Sequence, residues 1–213
     1  MAEGHRESFW KKAGEASDFN AEWKEKVLNY IGKTLRRQHI PIGDVVLDIG
    51  SGINPVSRFI TPESSKVIYV DFNAPESTKS VHTHINRDIH DLLDEHAFSA
   101  KRALVQSAQL LEIDPRNESR EQVDTVFVSD ILNYVPAQQL LGKAYEYLKQ
   151  GGVLIVLNQP GRTFEYATHT LHPEGASDNA ALGEFLTDSL HMTSLYSEVT
   201  KEGYFIGAYQ KIA

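Results

Sequence analysis

The segment that most constrains the fold is an apolar run that ends in two closely spaced glycines. Residues 45–49 read VVLDI and are followed directly by Gly50, Ser51 and Gly52. A short apolar run bounded by glycine is typical of a strand that is buried on both faces of a parallel sheet. Because glycine allows a tight turn and a close approach of the backbone to a ligand, the segment predicts a ligand-binding loop at the carboxyl end of a first strand.

The remainder of the chain alternates between apolar strands and amphipathic helices. The helix that precedes the last parallel strand is expected to end at Gly151-Gly152, since glycine is common just beyond a last helical turn. Two segments of alternating polarity, 193–199 and 204–212, predict a terminal hairpin. The alternation indicates a doubly wound α/β domain with a mostly parallel sheet. Further strands are predicted at 67–71, 81–85, 123–128 and 153–157, and helices at 22–38, 95–112, 138–149 and 180–190.

The composition limits both the architecture and the partners. A length of 213 residues suits one domain, and the absence of cysteine excludes disulfides, thiolate metal ligands and a cysteine nucleophile. The formal net charge of −8 disfavours nucleic acid as a partner, because the phosphate backbone is bound by basic surfaces. The chain has no apolar run of transmembrane length and no signal-like start, so we expect a cytoplasmic protein without a membrane partner. No matched set of histidines and acids points to a metal.

Two ligand classes compete for the glycine loop. Dinucleotide-binding loops follow a Gly-x-Gly-x-x-Gly pattern, in which the third small residue packs the helix closely against the strand. Here that third position is Pro55. Asp48 lies on the strand just before the glycines, where its carboxylate would repel a pyrophosphate and suit a ligand with a cationic amino acid group. The loop therefore favours such a ligand, and a nicotinamide-dependent oxidoreductase is the less favoured alternative.

Two further acids follow the next two strands. Asp71 ends the second strand about twenty residues after the loop, the distance at which a carboxylate reaches ribose hydroxyls. Asp88 and the apolar Ile89 follow the third strand, where they can hold an adenine by its amino group and its ring face. The alternative interpretations are a surface acid for Asp71 and a helix N-cap for Asp88 or Asp91.

The ordered set of motifs resembles the class I S-adenosylmethionine-dependent methyltransferases. The segments are VVLDIGSG, VIYVD, RDIHDL, DTVFVSDILNYV and LKQGGVLIVL, within residues 44–157. The resemblance implies a Rossmann-like, seven-stranded sheet with helices on both faces and an antiparallel last strand, and S-adenosylmethionine as the cofactor. It implies that the glycine loop holds the methionine part. Asn54 departs from the third glycine of many members, although asparagine tolerates a left-handed backbone. The expected cofactor-binding residues are Asp48, Gly50, Ser51, Gly52, Asn54, Asp71, Phe72, Asp88, Ile89 and Ser129.

The substrate is expected beyond the fourth and fifth strands. In the family pattern residues 129–136 pass beside the transferable methyl group, so Asn133 and Tyr134 either contact the substrate or cap and pack the next helix. The segment lacks the Asn-Pro-Pro-Tyr signature of enzymes that methylate planar amide or base nitrogens.

An irregular, polar segment follows the fifth strand. His169 and His172 are the candidate catalytic residues there, because a hydroxyl nucleophile needs a base to accept its proton. Ordinary loop histidines are the alternative. Tyr166 in the same segment and Trp10 in an aromatic N-terminal segment are candidate substrate contacts. The N-terminal aromatic residues either form a lid over the cofactor or pack on the domain.

These observations predict two parts and one activity. Residues 1–40 are expected to form an N-terminal helical lid or cap region, and residues 41–213 the Rossmann-like methyltransferase domain. The predicted activity is methyl transfer from S-adenosylmethionine to an oxygen or nitrogen of a small molecule, with catalysis mainly by alignment. A non-catalytic S-adenosylmethionine-binding protein that acts through a partner is the alternative.

Overall fold

A computed structural model describes residues 21–51, 55–70, 82–85, 123–133, 135–158, 178–201 and 203–212. No helix within these ranges is long and apolar enough to cross a membrane. The elements in chain order are α1 (Ala21–Arg37), β1 (Val45–Ile49), a 3-10 turn (Val56–Phe59), β2 (Lys66–Val70), β3 (His82–Ile85), β4 (Val123–Ser129), α2 (Ala137–Tyr147), β5 (Leu148–Asn158), α3 (Asn179–Glu184) with a following π-helical turn (Phe185–Ser189), β6 (Met192–Val199) and β7 (Phe205–Lys211).

The described strands form one seven-stranded sheet in the order β3-β2-β1-β4-β5-β7-β6. β1 lies between β2 and β4 and is parallel to both, and β3 and β5 extend the parallel part. β7 pairs antiparallel with both β5 and β6. The α/β class and the antiparallel closing hairpin are therefore confirmed. The strand order reverses between β1 and β4, which is where open α/β sheets form a ligand crevice.

The two sides of β1 belong to different core clusters, because side chains alternate along a strand. Val46 packs in the cluster that includes Leu28, Ile31 and Leu35 of α1. Leu47 and Ile49 pack in the cluster that includes Leu140, Leu141 and Ala144 of α2. The side chain of Asp48, two residues after Val46, therefore lies on the side of α1. The division of the chain at residue 40 stays a prediction.

The end of α2 differs from the prediction. The pattern extended this helix to Lys149 and ended it at Gly151-Gly152, whereas the helix ends at Tyr147 and β5 begins at the next residue. The glycines lie in a register irregularity between β4 and β5, where Gly151 has φ +76°. The predicted helix at 180–190 is also shorter, since its α-helical part ends at Glu184.

A buried lysine explains why α2 ends without a glycine. The Nζ atom of Lys211, on β7, donates to the carbonyl oxygens of Tyr145 at 3.2 Å and Leu148 at 2.8 Å. The same cation lies 4.3 Å from the centroid of the Tyr145 ring. These contacts satisfy carbonyls that a helix end leaves open, and a positive charge is favourable at this end of a helix. No local pattern reveals them, because Lys211 is distant in sequence.

Candidate functional site

Gly50 brings the carboxyl end of β1 against the carboxyl end of β4. It has φ +77°, and its N–H donates to the Val70 carbonyl oxygen at 2.9 Å. A Cβ atom on this residue would lie 2.8 Å from the Ser129 carbonyl oxygen and 3.0 Å from Ile131 Cβ. Both the left-handed backbone and the lack of space require glycine here. The loop that follows β1 therefore starts directly at the reversal of strand order.

A buried carboxylate lies beneath the start of this loop. Asp48 is 0% exposed, and its Oδ2 atom accepts a hydrogen bond of 2.5 Å from Ser57 Oγ. Ser57 belongs to the 3-10 turn that follows the loop, so the bond ties the turn to β1. Burial raises the pKa of the neighbouring Tyr69 hydroxyl, and the charge of Asp48 adds to the rise. The site thus has a buried acidic residue below the loop, and a negative charge there would favour a cationic ligand group and disfavour a pyrophosphate.

The turn after the loop is too short for a helical phosphate site. Its 3-10 segment has four residues, and Pro55 precedes it in an extended conformation with φ −68° and ψ 138°. Dinucleotide-binding folds place the pyrophosphate at the N-terminus of a helix, where several N–H groups and the helix dipole face it. This local geometry therefore weighs against the nicotinamide alternative, as the proline at this position predicted.

A second carboxylate follows β4 on the other side of the reversal. Asp130 is exposed and has a left-handed backbone with φ +54°, and its N–H donates to the Leu157 carbonyl oxygen at 2.9 Å. The hydroxyl of Tyr204 donates to Asp130 Oδ2. Sequence reasoning missed both residues. Asp130 lies in the motif DTVFVSDILNYV, but its hydrogen-bond partner Tyr204 is 74 positions later in the chain, so no local pattern indicates the contact.

Several buried polar groups at this edge of the sheet have no hydrogen-bond partner within the described part of the chain. They are the hydroxyls of Ser51 and Ser129 and both amide atoms of Asn158, which is 0% exposed. Buried polar atoms are normally hydrogen-bonded to protein, water or ligand. Their position at the carboxyl ends of β1, β4 and β5 is consistent with a polar ligand at this edge. Asn158 was not among the predicted residues.

The predicted site residues divide into two groups. The structure brings Asp48, Gly50, Ser51 and Ser129 to one edge of the sheet and places Asn133, 5% exposed, in the turn after β4. No group of three potential metal ligands occurs in the described ranges. The remaining predicted residues lie outside the described residues; they are Trp10, Gly52, Asn54, Asp71, Phe72, Asp88, Ile89, Tyr134, Tyr166, His169 and His172.

Comparison with solved structures identifies the fold. The 1,6-didemethyltoxoflavin-N1-methyltransferase of Burkholderia thailandensis, solved with 1,6-didemethyltoxoflavin and S-adenosylhomocysteine, gives a TM-score of 0.62 at 16% identity, over 100% of this chain and 92% of that chain. An O-methyltransferase family protein of the same organism gives 0.58 at 14% identity, over 98% and 62%. A chain from the complex described as that between the Haloferax volcanii Trm112 methyltransferase activator and the "putative methyltransferase" gives 0.63 at 13% identity, over 94% and 97%.

These likenesses show that the chain has the fold of S-adenosylmethionine-dependent methyltransferases. No protein-family model matches the sequence, and no curated protein matches it.

Proposed function

We propose that the protein is an S-adenosylmethionine-dependent methyltransferase that acts on an oxygen or nitrogen of a small molecule. The observation that carries the proposal is the buried, hydrogen-bonded carboxylate of Asp48 beneath a glycine loop at the reversal of strand order. S-adenosylmethionine joins a nucleoside to a sulfonium and to an amino acid that carries an ammonium group, and these two cationic groups suit a crevice lined by acidic residues. Solved structures of the same fold include an N-methyltransferase with bound S-adenosylhomocysteine and an O-methyltransferase family protein.

The described residues fit the cofactor. Gly50 lets the start of the loop pack closely against the carboxyl end of β4, and the buried Ser51 hydroxyl has no partner among the described residues. We assign the methionine part to this loop, with Gly52 and Asn54 completing it. The ribose is assigned to Asp71 and Phe72, and Ser129 lines the cofactor beside the methyl group. The adenine contacts are assigned to Asp88 and Ile89.

The chemistry that this cofactor supplies is an activated methyl group, whose transfer to a nucleophile returns the carbon–sulfur electron pair to sulfur and removes the positive charge. The protein then has to align the nucleophile and exclude water, which is catalysis by positioning. We assign the substrate pocket to Trp10, Asn133, Tyr134 and Tyr166. For a hydroxyl nucleophile, His169 or His172 would accept the proton.

The experiment that tests this function is calorimetric titration of the full chain with S-adenosylmethionine, S-adenosylhomocysteine, NAD and NADP. Binding of both adenosyl amino acids, with much weaker binding of both dinucleotides, supports the proposal. Tighter binding of NAD than of S-adenosylhomocysteine contradicts it. Transfer of labelled methyl to a panel of small hydroxyl and amine compounds then separates an enzyme from a cofactor-binding partner protein.

A further inference from the structure

Asp130 has a backbone conformation that its local sequence does not require. Three described non-glycine residues have positive φ, namely His39, Asp130 and His191, with values of 53°, 54° and 52°. His39 follows the end of α1, and His191 follows the π-helical turn, so both occur where a helix ends, a common position for this conformation. Asp130 instead follows a strand. Unusual backbone of this kind persists where surrounding contacts impose it, and such residues cluster at functional sites.

The contacts that impose this conformation come from β5 and from the residue just before β7. The Asp130 N–H continues the pairing of β4 with β5 by donating to the Leu157 carbonyl oxygen, and the hydroxyl of Tyr204, which precedes β7, donates to the carboxylate. Tyr204 is itself fixed, since it is 7% exposed and its backbone bonds to Thr200 in both directions, N–H to Oγ1 at 3.2 Å and carbonyl to N–H at 2.8 Å. The exposed carboxylate is therefore held in one place by a rigid, buried ring.

The backbone at Asp130 lies next to the start of the glycine loop. Gly50 and Asp130 follow the two strands on either side of the reversal, and the position of a Gly50 Cβ would be 2.8 Å from the carbonyl oxygen of Ser129, the residue before Asp130. An exposed acidic residue thus follows β4 directly beside the start of this loop. This exposed acidic residue is additional to Asp48, which is buried beneath the loop.

We propose that Asp130 makes the site prefer the positively charged sulfonium cofactor over its neutral demethylated product, and that Tyr204 is the positioning residue that holds the carboxylate for this role. The inference rests on the proposed function. Once the methyl group has been transferred, the sulfur is uncharged, so the attraction to Asp130 is lost and the product is released more easily than the cofactor. A preference of this kind limits inhibition by the product.

The test compares binding of charged and neutral ligands by calorimetry. The ligands are S-adenosylmethionine, S-adenosylhomocysteine and sinefungin, in which a protonated amine replaces the methylsulfonium. Asp130→Asn removes the charge and keeps a side chain that tolerates the left-handed backbone. It should weaken both charged ligands about fivefold, the effect of one charge pair at contact distance in water, and leave S-adenosylhomocysteine within about twofold. At about 1 M salt, where the screening length is about 3 Å, the difference should shrink.

Two further variants separate the proposed roles. Tyr204→Phe keeps the ring and removes the hydroxyl, so the preference for charged ligands should fall, but by less than in Asp130→Asn. Glu146→Gln is the matched control, because it also removes one exposed negative charge but lies on α2, paired with Lys143 at 3.1 Å. It should leave all three affinities unchanged. Circular dichroism and thermal unfolding of each variant verify that it is folded.

Each outcome distinguishes this inference from the proposed function. If the wild-type chain binds none of the three ligands, the proposed function is wrong and the inference with it. If it binds them, but Asp130→Asn weakens charged and neutral ligands equally or weakens neither, the proposed function stands and the charge preference is overturned. An unchanged preference in Tyr204→Phe overturns the positioning role of Tyr204 alone.

Discussion

Replacing Gly50 by alanine tests how strictly the site depends on the contact between the ends of β1 and β4. The chain provides a matched control, because Gly151 has nearly the same backbone, with φ +76° against +77° for Gly50. The Cβ of Gly50→Ala would lie 2.8 Å from the Ser129 carbonyl oxygen, whereas the Cβ of Gly151→Ala would meet no atom within 4 Å. The two variants therefore share the conformational cost and differ in the clash.

The expected magnitudes follow from this difference. An alanine in the left-handed region costs about 1–2 kcal/mol of folding free energy, and we expect this loss for Gly151→Ala. Forcing a methyl group into filled space costs a further ~1–3 kcal/mol, so Gly50→Ala should lose about 2–5 kcal/mol. The contact cannot easily relax, since the Ser129 carbonyl belongs to β4, which is paired on both sides. The loss of unfolded-state entropy on adding a methyl group is common to both variants and cancels in the comparison.

The measurement is urea unfolding of the wild type and the two variants, together with calorimetric titration of S-adenosylhomocysteine. Gly50→Ala should unfold at the lowest urea concentration and bind the ligand at least about tenfold more weakly, because the loop must move by several tenths of an ångström or more. Gly151→Ala, at the opposite edge of the sheet, should retain wild-type affinity. Equal destabilisation in the two variants, or unchanged binding in Gly50→Ala, would refute the close contact.

Two predictions concern other parts of the sheet. Lys211→Met keeps most of the buried side-chain volume but leaves the carbonyls of Tyr145 and Leu148 without their charged donor, so urea unfolding should report a loss of about 1–3 kcal/mol; no measurable loss would contradict the capping role. Burial and the hydrogen bond to Glu198 raise the pKa of Tyr196 to about 12. Because this folded-state pKa exceeds the unfolded value of about 10, the associated stability is present below pH 10 and is lost as the pH rises from 10 toward 12. Absorbance titration should show one late-ionising tyrosine fewer in Tyr196→Phe than in the wild type, and Tyr196 should ionise earlier in Glu198→Gln; an unchanged profile in Tyr196→Phe would refute the assignment.

The features that sequence reasoning predicted are those encoded by local patterns. The apolar run 45–49 and the glycines after it predicted β1 and its loop, and β1 runs from Val45 to Ile49. The alternating tail predicted a hairpin, and β6 and β7 form it. In each case a few neighbouring residues determine the backbone. A largely apolar strand must be covered on both faces, glycine permits a turn that other residues resist, and alternating polarity suits a strand with one face in the core.

The features that sequence reasoning missed depend on contacts between residues that are distant in the chain. The end of α2 was placed at a glycine pair because glycine is common there, but the capping group is Lys211 on β7. Likewise, Asp130 lies in the segment 129–136, which was predicted to pass beside the methyl group, but it was not singled out there; its left-handed backbone and its contact with Tyr204 distinguish it from an ordinary exposed acid. Lys211 on β7 and Tyr204 just before it lie in no sequence pattern that would indicate the distant residues they contact.

Asp48 and Asp130, on the two sides of the reversal of strand order, illustrate how the same sheet topology can suit different classes of ligand. Folds that bind dinucleotides use the same reversal of strand order, but they present N–H groups of a helix to a pyrophosphate. In this chain the corresponding segment is a four-residue 3-10 turn, and its Ser57 hydroxyl is directed inward to the buried Asp48. Burying a carboxylate costs free energy unless the group is hydrogen-bonded. The turn therefore stabilises a buried carboxylate of the protein itself instead of binding an anionic ligand. With Asp130 held on the opposite side by Tyr204, both borders of the crevice are acidic. If this edge of the sheet binds a sulfonium cofactor as proposed, the sign of this charge, more than the glycine spacing, would favour that cofactor over a dinucleotide.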